Sequence, residues 1–216
     1  MQLTPDVLLR AYAIGIFPMA EGREHADLHW IDPELRGVLP LDGFHVPRRL
    51  RRRLRRGDFE VRCDSAFPEV IRACAEPSAS RRDTWINATI EKLYNDLFTA
   101  GFAHSVECWR EGRLAGGLYG VSLGAAFFGE SMFSREPEAS KVALVHLAMR
   151  LRKGGFLLLD TQFVTEHLRQ FGAIELDREH YRSRLAKAIT TPAEFSVETD
   201  RDDLESFLRA STPLEA

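Results

Sequence analysis

The sequence predicts an α+β fold, in which a mixed sheet is flanked by helices and preceded by a small N-terminal domain. Three observations lead there. HSVECWR, a turn at Glu111-Gly112 and RLAGGLYGVSL read as a hairpin, and GAAFFGESMF adds a third adjacent strand. A helical stretch over residues 139–153 then leads into the apolar strand FLLLD. Antiparallel strands followed by a helix and a crossover strand form a mixed layer against which helices pack.

The elements can be justified in chain order. Thr4, Pro5 and Asp6 supply a capping oxygen, a proline suited to the first helical position and an acid in the first turn, so VLLRAYAI is a helix, closed by Gly15. The Gly-, Pro- and Asp-rich segment after it is loop, with one short strand at RGVLP. Pro47 opens and Gly57 ends an arginine-rich helix. FEVRC reads as a strand and SAFPEVIRACAE as an amphipathic helix, followed by a loop of Pro, Ser, Arg and Asp. Asn87 caps the helix ATIEKLYNDLFTA, which Gly101 terminates ahead of the hairpin. Beyond FLLLD, VTEHLRQF is a helix stopped by Gly172, and a last helix runs over 178–189. These limits divide the chain into residues 1–57, a small domain carrying the basic helix, 58–190, the larger domain, and 191–216, an unassigned tail.

Composition narrows the function. With 44% hydrophobic and 28% charged residues the chain is an ordinary globular one, and no apolar run approaches the roughly 20 residues of a membrane span. The N-terminus lacks the basic and apolar regions of a secretory signal, so a cytoplasmic location is expected. Cys63, Cys74 and Cys108 lack the spacing of a zinc or redox pair, and His25 and His29 lack a helical context. No metal and no cofactor are expected.

The net charge of −3 conceals an uneven distribution. In RRLRRRLRR, Arg48, Arg49, Arg51, Arg52, Arg53, Arg55 and Arg56 surround Leu50 and Leu54, which are spaced i,i+4 and can dock the helix by one stripe. So many like charges repel, which makes sense if a polyanion neutralises them, and guanidinium geometry suits phosphate. The alternatives are a solvated face, or pairing with the acidic tail from Glu194 onward.

A second feature is GGLYGVSLGAAFFGESMFSREPEASK, residues 116–141, whose glycines could simply mark hairpin turns. Glu130, however, interrupts an apolar string. Alternation puts it on one face with Phe128 and Met132, opposite Phe127, Gly129, Ser131 and Phe133. A carboxylate there needs partners or a task such as binding an amine. Similarly, Asp160 and Gln162 end the apolar strand two apart, on one face if the strand continues, at the kind of strand end where α/β sites collect. The plainer alternative makes Asp160 a helix cap and Gln162 a turn residue.

At these residues the chain resembles the bacterial leucyl/phenylalanyl-tRNA–protein transferases. The resemblance rests on AYAIGIFPM, LHWIDPELRGVLP, the basic helix, DTWI, the stretch 101–144 with H-S-V-E-x-W, G-G-L-Y-G and G-E-S-M-F-S, and LLLDTQFVTEHLRQFGA. It implies an acyltransferase domain of the GNAT fold behind a small N-terminal domain. The activity implied is transfer of leucine or phenylalanine, less well methionine, from tRNA to proteins beginning with Arg or Lys, which marks them for N-end rule degradation. The partners implied are Leu-tRNA, Phe-tRNA and those acceptor proteins, and a monomer is the expected state. By the same resemblance Gln162 and Asp160 polarise the attacking amine and relay its proton, and Glu130 orients an amino group. Trp85 holds the terminal adenosine, while Leu118, Phe127, Met132, Ser134, Leu144 and Leu147 line the side-chain pocket. The arginine helix grips the acceptor stem. Met19 stands where many relatives have tryptophan, Leu147 replaces an aromatic, and residues 190–216 fall outside the resemblance.

Two other functions compete. A CoA-dependent N-acetyltransferase of the same fold class would need a Gly-rich pyrophosphate loop, where this chain has Ser134-Arg135-Glu136-Pro137-Glu138. A non-catalytic RNA-binding module would need the arginine helix but not the D-T-Q and G-E-S-M motifs.

Overall fold

The computed structural model describes residues 3–25, 27–77 and 84–211. Helix α1 (Pro5–Ala13) starts where Thr4 accepts the Val7 amide through its side chain. A two-stranded antiparallel ribbon, β1 (Phe17–Ala20) and β2 (Leu28–Ile31), follows, and then β3 (Leu35–Val38). The arginine helix is α2 (Arg48–Arg56), ended by Gly57 in a left-handed conformation. Next come β4 (Glu60–Cys63), α3 (Phe67–Ala75) and α4 (Ala88–Thr99), with Asn87 capping α4 through Ile90 N at 2.9 Å. Most of the loop expected between α3 and α4 lies outside the described residues.

The hairpin and third strand are β5 (Ala103–Arg110), β6 (Arg113–Leu123) and β7 (Ala126–Ser134), followed by α5 (Ala139–Lys153) and β8 (Leu158–Gln162). Expected helix VTEHLRQF is shortened to α6 (Glu166–Arg169). Strand β9 (Ile174–Asp177), α7 (Arg178–Ile189) and α8 (Arg201–Ala210) complete the described elements.

Among the described residues seven strands form one mixed sheet in the order β4-β5-β6-β7-β8-β3-β9, so the expected α+β architecture with helices flanking a mixed sheet is the one observed. Of the pairings within it, only β7–β8 is parallel. Strand β3 comes from the segment read as a separate domain, yet it is inserted between β8 and β9 and pairs with both. Its short apolar pattern could not reveal partners more than 120 residues away in sequence.

Two apolar clusters pack around the sheet. One unites α2, α5 and α8 with Phe127, the other α1, α3, α4 and α7 with Phe128, as neighbouring residues on a strand must face opposite ways. The tail left unassigned by sequence belongs to the first: Phe195 stacks on Phe127 at 5.6 Å, and Leu204, Phe207 and Leu208 of α8 are buried. Leu50 and Leu54 are buried as their spacing predicts, and at about 1.5–3 kcal/mol each they offset the self-repulsion of α2.

Two register shifts correct the simple alternation. Tyr119 pairs with Ser131 and Gly120 with Gly129, so Glu130 is an extra residue in β7. This bulge reverses the facing beyond it: Met132 packs with the Phe127 cluster and Phe133 with the Phe128 cluster. Glu130 therefore does not share a face with both Phe128 and Met132. In β8, Gly37 pairs with Gln162 and Val38 with Asp160, leaving Thr161 extra. Asp160 and Gln162 consequently do not point the same way.

Candidate active site

Strands β7 and β8 are in register only over Ala126–Phe128 and Leu158–Asp160. Past those residues they have no mutual pairing, and a cavity of about 570 Å³ opens where they part. Glu130, Met132 and Ser134 of β7, Leu118 of β6, Leu144 and Leu147 of α5, Gln162 of β8 and Trp85 all line it. The residues that sequence reading assigned to catalysis and to the side-chain and adenosine pocket thus converge on one hollow, with two exceptions. Phe127 is fully buried between Phe195 and Phe156, and Asp160 is fully buried behind the wall.

Asp160 is saturated. Arg36 reaches it through Nε at 3.0 Å and Nη2 at 2.7 Å, the Tyr181 hydroxyl donates to its Oδ2, and the Gln162 amide donates to Oδ1 at 2.7 Å. Arg36 in turn is held by the Gly15 carbonyl at 2.9 Å and lies over the rings of Phe17 and Tyr181. Burial works against the Arg36 charge, but Asp160 more than restores it, and Arg36 titrates above its ordinary range. Burial, reinforced by the Asp160 charge, pushes the Tyr181 phenol far up, so it stays a donor. Asp160 therefore meets the cavity only through what it positions: its carboxylate fixes the turn that carries Gln162.

Gln162 sits at φ +57, a left-handed conformation unusual for a side chain of its size. The turn is clamped from three sides, by Asp160, by Phe163 N donating to Thr161 O at 2.6 Å, and by Gly37. A Cβ on Gly37 would come within 2.6 Å of the Phe163 carbonyl carbon, so only glycine allows this approach. The Gln162 side chain is 7% exposed, and its Nε2 has no hydrogen-bond partner among the described residues. Buried donors without partners are rare in folded proteins, and one on a cavity wall is available to a ligand.

Glu130 projects from its bulge between two tyrosines. Tyr12 donates to Oε1 at 2.6 Å and Tyr94 to Oε2 at 3.0 Å, and the two phenol oxygens are 2.5 Å apart. Burial raises the Glu130 carboxyl to about 7, the phenol hydrogen bonds pull the other way, and Asp160 and Arg36 oppose each other. Sequence reading missed both tyrosines, although each lies on the buried stripe of its helix, where a phenol oxygen demands a polar partner. It also missed Arg36, a charge inside a short strand, and Phe163, which is 45% exposed on the cavity wall and packs edge-on against Phe17.

The motif glutamate of H-S-V-E-x-W has a structural part. Glu107 is fully buried and accepts from Ala66 N at 2.8 Å, Ser105 at 2.8 Å and Trp109 Nε1 at 3.0 Å, anchoring the start of α3 to β5.

None of the seven arginines of α2 lines the cavity, and they divide into groups. Arg51 turns inward to the carbonyls of Val46, Leu208 and Ser211, and Arg55 forms a forked pair with Glu205 of α8. Arg53 and Arg56 share Asp58. Arg48, Arg49 and Arg52 are exposed and have no ionic partner among the described residues. Pairing with the acidic tail and an open basic face thus coexist on one helix.

Among the described residues no helix is long and apolar enough to cross a membrane, and no cluster of three metal-ligating side chains occurs.

Residues 38–186 match the family model "Leucyl/phenylalanyl-tRNA protein transferase", and residues 1–34 match the model of that enzyme's N-terminal domain. A leucyl/phenylalanyl-tRNA–protein transferase of Paramagnetospirillum magneticum is 62% identical over 193 residues, covering 89% of this chain and 92% of its own. Similarly named proteins of Caulobacter vibrioides and Rhodospirillum rubrum are 59% and 55% identical, covering 96% and 92% of this chain and 98% and 93% of their own.

Proposed function

Because this chain belongs to the leucyl/phenylalanyl-tRNA protein transferase family, we propose that it moves leucine or phenylalanine, and less readily methionine, from tRNA onto proteins beginning with Arg or Lys. The new peptide bond would mark those proteins for N-end rule degradation in the cytoplasm, with the enzyme acting as a monomer. The observation that carries this reading is the hollow between β7 and β8. Apolar Leu118, Met132, Leu144 and Leu147 line it together with Glu130 and the unpartnered Gln162 amide.

The chemistry follows from that arrangement. An aminoacyl ester is already reactive, so the enzyme's main contribution is to hold ester and amine together, which can supply up to roughly 7–11 kcal/mol of the barrier. The apolar wall, with a methionine that adapts its shape, accepts Leu, Phe or Met side chains and disfavours charged ones. Trp85, on the same cavity, offers a stacking face for the 3′ adenine. Gln162 can accept an amine N–H through its amide oxygen and donate from Nε2 to the ester carbonyl, where negative charge develops. Asp160 supports it from behind as a positioning residue, and Glu130 faces the amino groups. Arg48, Arg49 and Arg52 are the arginines best placed to take phosphates, which carry no identity and leave selection to the pocket.

Splayed parallel strands with a site between them support the GNAT reading of the larger domain. A CoA-dependent acetyltransferase is disfavoured by the start of α5. Glu138 occupies the N-cap position there, and the Ser140 amide is already taken by the Ser134 hydroxyl at 2.9 Å. A pyrophosphate would meet a carboxylate and an engaged donor.

The test is transfer of labelled leucine from Leu-tRNA to a peptide beginning with Arg or Lys, with no added nucleotide. Product is expected from the native chain and its loss from Gln162→Ala. Binding of charged tRNA without any transfer would leave only an RNA-binding module.

A further inference from the structure

Tyr12, Tyr94 and Glu130 form a closed triangle of contacts at 2.5, 2.6 and 3.0 Å. Each hydrogen bond in such a ring uses one proton, and the two phenols supply two. Three bonds exist together only when the carboxyl carries the third. When Glu130 is ionised, both phenols turn to it and the Tyr12–Tyr94 contact is left without a proton. The ring thus accommodates Glu130 in both protonation states, with three hydrogen bonds when it is neutral and two stronger, charge-assisted ones when it is ionised.

Its surroundings are otherwise balanced. Tyr12 approaches from α1 and Tyr94 from α4, and the charges facing Glu130 from β3 and β8 are Arg36 and Asp160, already paired with one another. Among the described residues Glu130 is the single carboxyl lining the cavity. The transfer reaction has a proton to dispose of there, because an N-terminal amine, with an ordinary pKa of about 7.7–8.0, arrives largely as ammonium.

Resting on the transferase reading above, we propose that Tyr12 and Tyr94 are positioning residues that make Glu130 the acceptor of the incoming ammonium's proton. Ionised Glu130 removes one proton from the nitrogen and closes the ring. The freed lone pair forms the C–N bond, the C–O bond to the ribose breaks, and the second nitrogen proton passes to the leaving ribose oxygen. The products are the amide, tRNA with its hydroxyl restored, and neutral Glu130, which returns its proton to solvent. A carboxyl raised to about 7 by burial suits this exchange.

The experiment is the pH dependence of kcat with saturating Leu-tRNA and Arg-initiated peptide for the native enzyme and for Y12F, Y94F and E130Q. Phenylalanine keeps the ring packing on Phe128 and Tyr119. The native profile is expected to show an acid limb near pH 7. Each phenol donor favours the ionised carboxyl, so Y12F and Y94F should move that limb upward. Their kcat would fall about three- to tenfold at pH 6.5 and recover at pH 8.5, with KM for Leu-tRNA little changed. E130Q should abolish the limb. Limbs unmoved in both tyrosine variants, or one persisting in E130Q, would overturn the inference alone. Absence of transfer by the native enzyme at every pH would overturn the transferase reading as well.

Discussion

Arg36 and Asp160, 124 positions apart in sequence, form an ion pair at 2.7 Å with 1% and 0% of their side chains exposed. The pair joins β3, from the N-terminal part of the chain, to the strand that carries Gln162. Removing one partner strands the other charge in the interior. Asp160→Ala is therefore expected to cost about 3–5 kcal/mol of stability, read from denaturant midpoints. Gln162→Ala should leave the midpoint near the native value while abolishing transfer. Equal midpoints for the two variants would contradict the division between support and chemistry.

Gly37 supports the same turn by having no side chain. Gly37→Ala places a carbon 2.6 Å from the Phe163 backbone, so either β3 or the Gln162 turn must shift. An overpacking cost of about 1–3 kcal/mol is expected, with a loss of kcat larger than the stability change explains. Stability and transfer assays on the purified variant measure both.

The arginine helix should respond by position. Charge reversal at Arg48, Arg49 or Arg52 is expected to weaken tRNA binding and lower the slope of log affinity against log salt by up to about 1 for each phosphate no longer neutralised. Arg51→Ala should instead lower thermal stability, because its guanidinium is spent on three backbone carbonyls. An unchanged salt slope in all three reversal variants would move the tRNA site elsewhere.

Glu130 makes stability depend on pH. Its folded pKa of about 7 lies above the roughly 4.3 of an unfolded glutamate, so protonation favours the native state. That contribution is complete below about pH 4 and is lost as pH rises through 7. Glu130→Gln should therefore melt above the native protein at pH 8, by about 1–3 kcal/mol, with the gap closing near pH 5. Thermal scans at the two pH values test this.

Phe163 is 45% exposed on the wall of the cavity that Met19 also lines. Phe163→Ala is expected to raise KM for aminoacyl-tRNA about fivefold or more, as loss of a stacking face worth about 1–3 kcal/mol would. The KM for acceptor peptide should not change.

Local chemistry made much of this protein legible in its sequence. Thr4 and Asn87 announce their helices because a capping oxygen acts within three residues, and Leu50 and Leu54 dock α2 because their spacing alone defines a stripe. Glu130 and Gln162 stood out because polar groups in apolar strands need a reason. The tertiary structure decided what depends on partners distant in sequence. It inserted β3 into the main sheet, turned Asp160 away from the cavity through the extra residue Thr161, and surrounded Glu130 with tyrosines from two helices. It also spent Arg51 and Arg55 on α8. The physical reason is the same each time. A bulge shifts facing by one residue and an ion pair needs a second group at about 3 Å, and neither leaves a mark in the periodicity of a single segment.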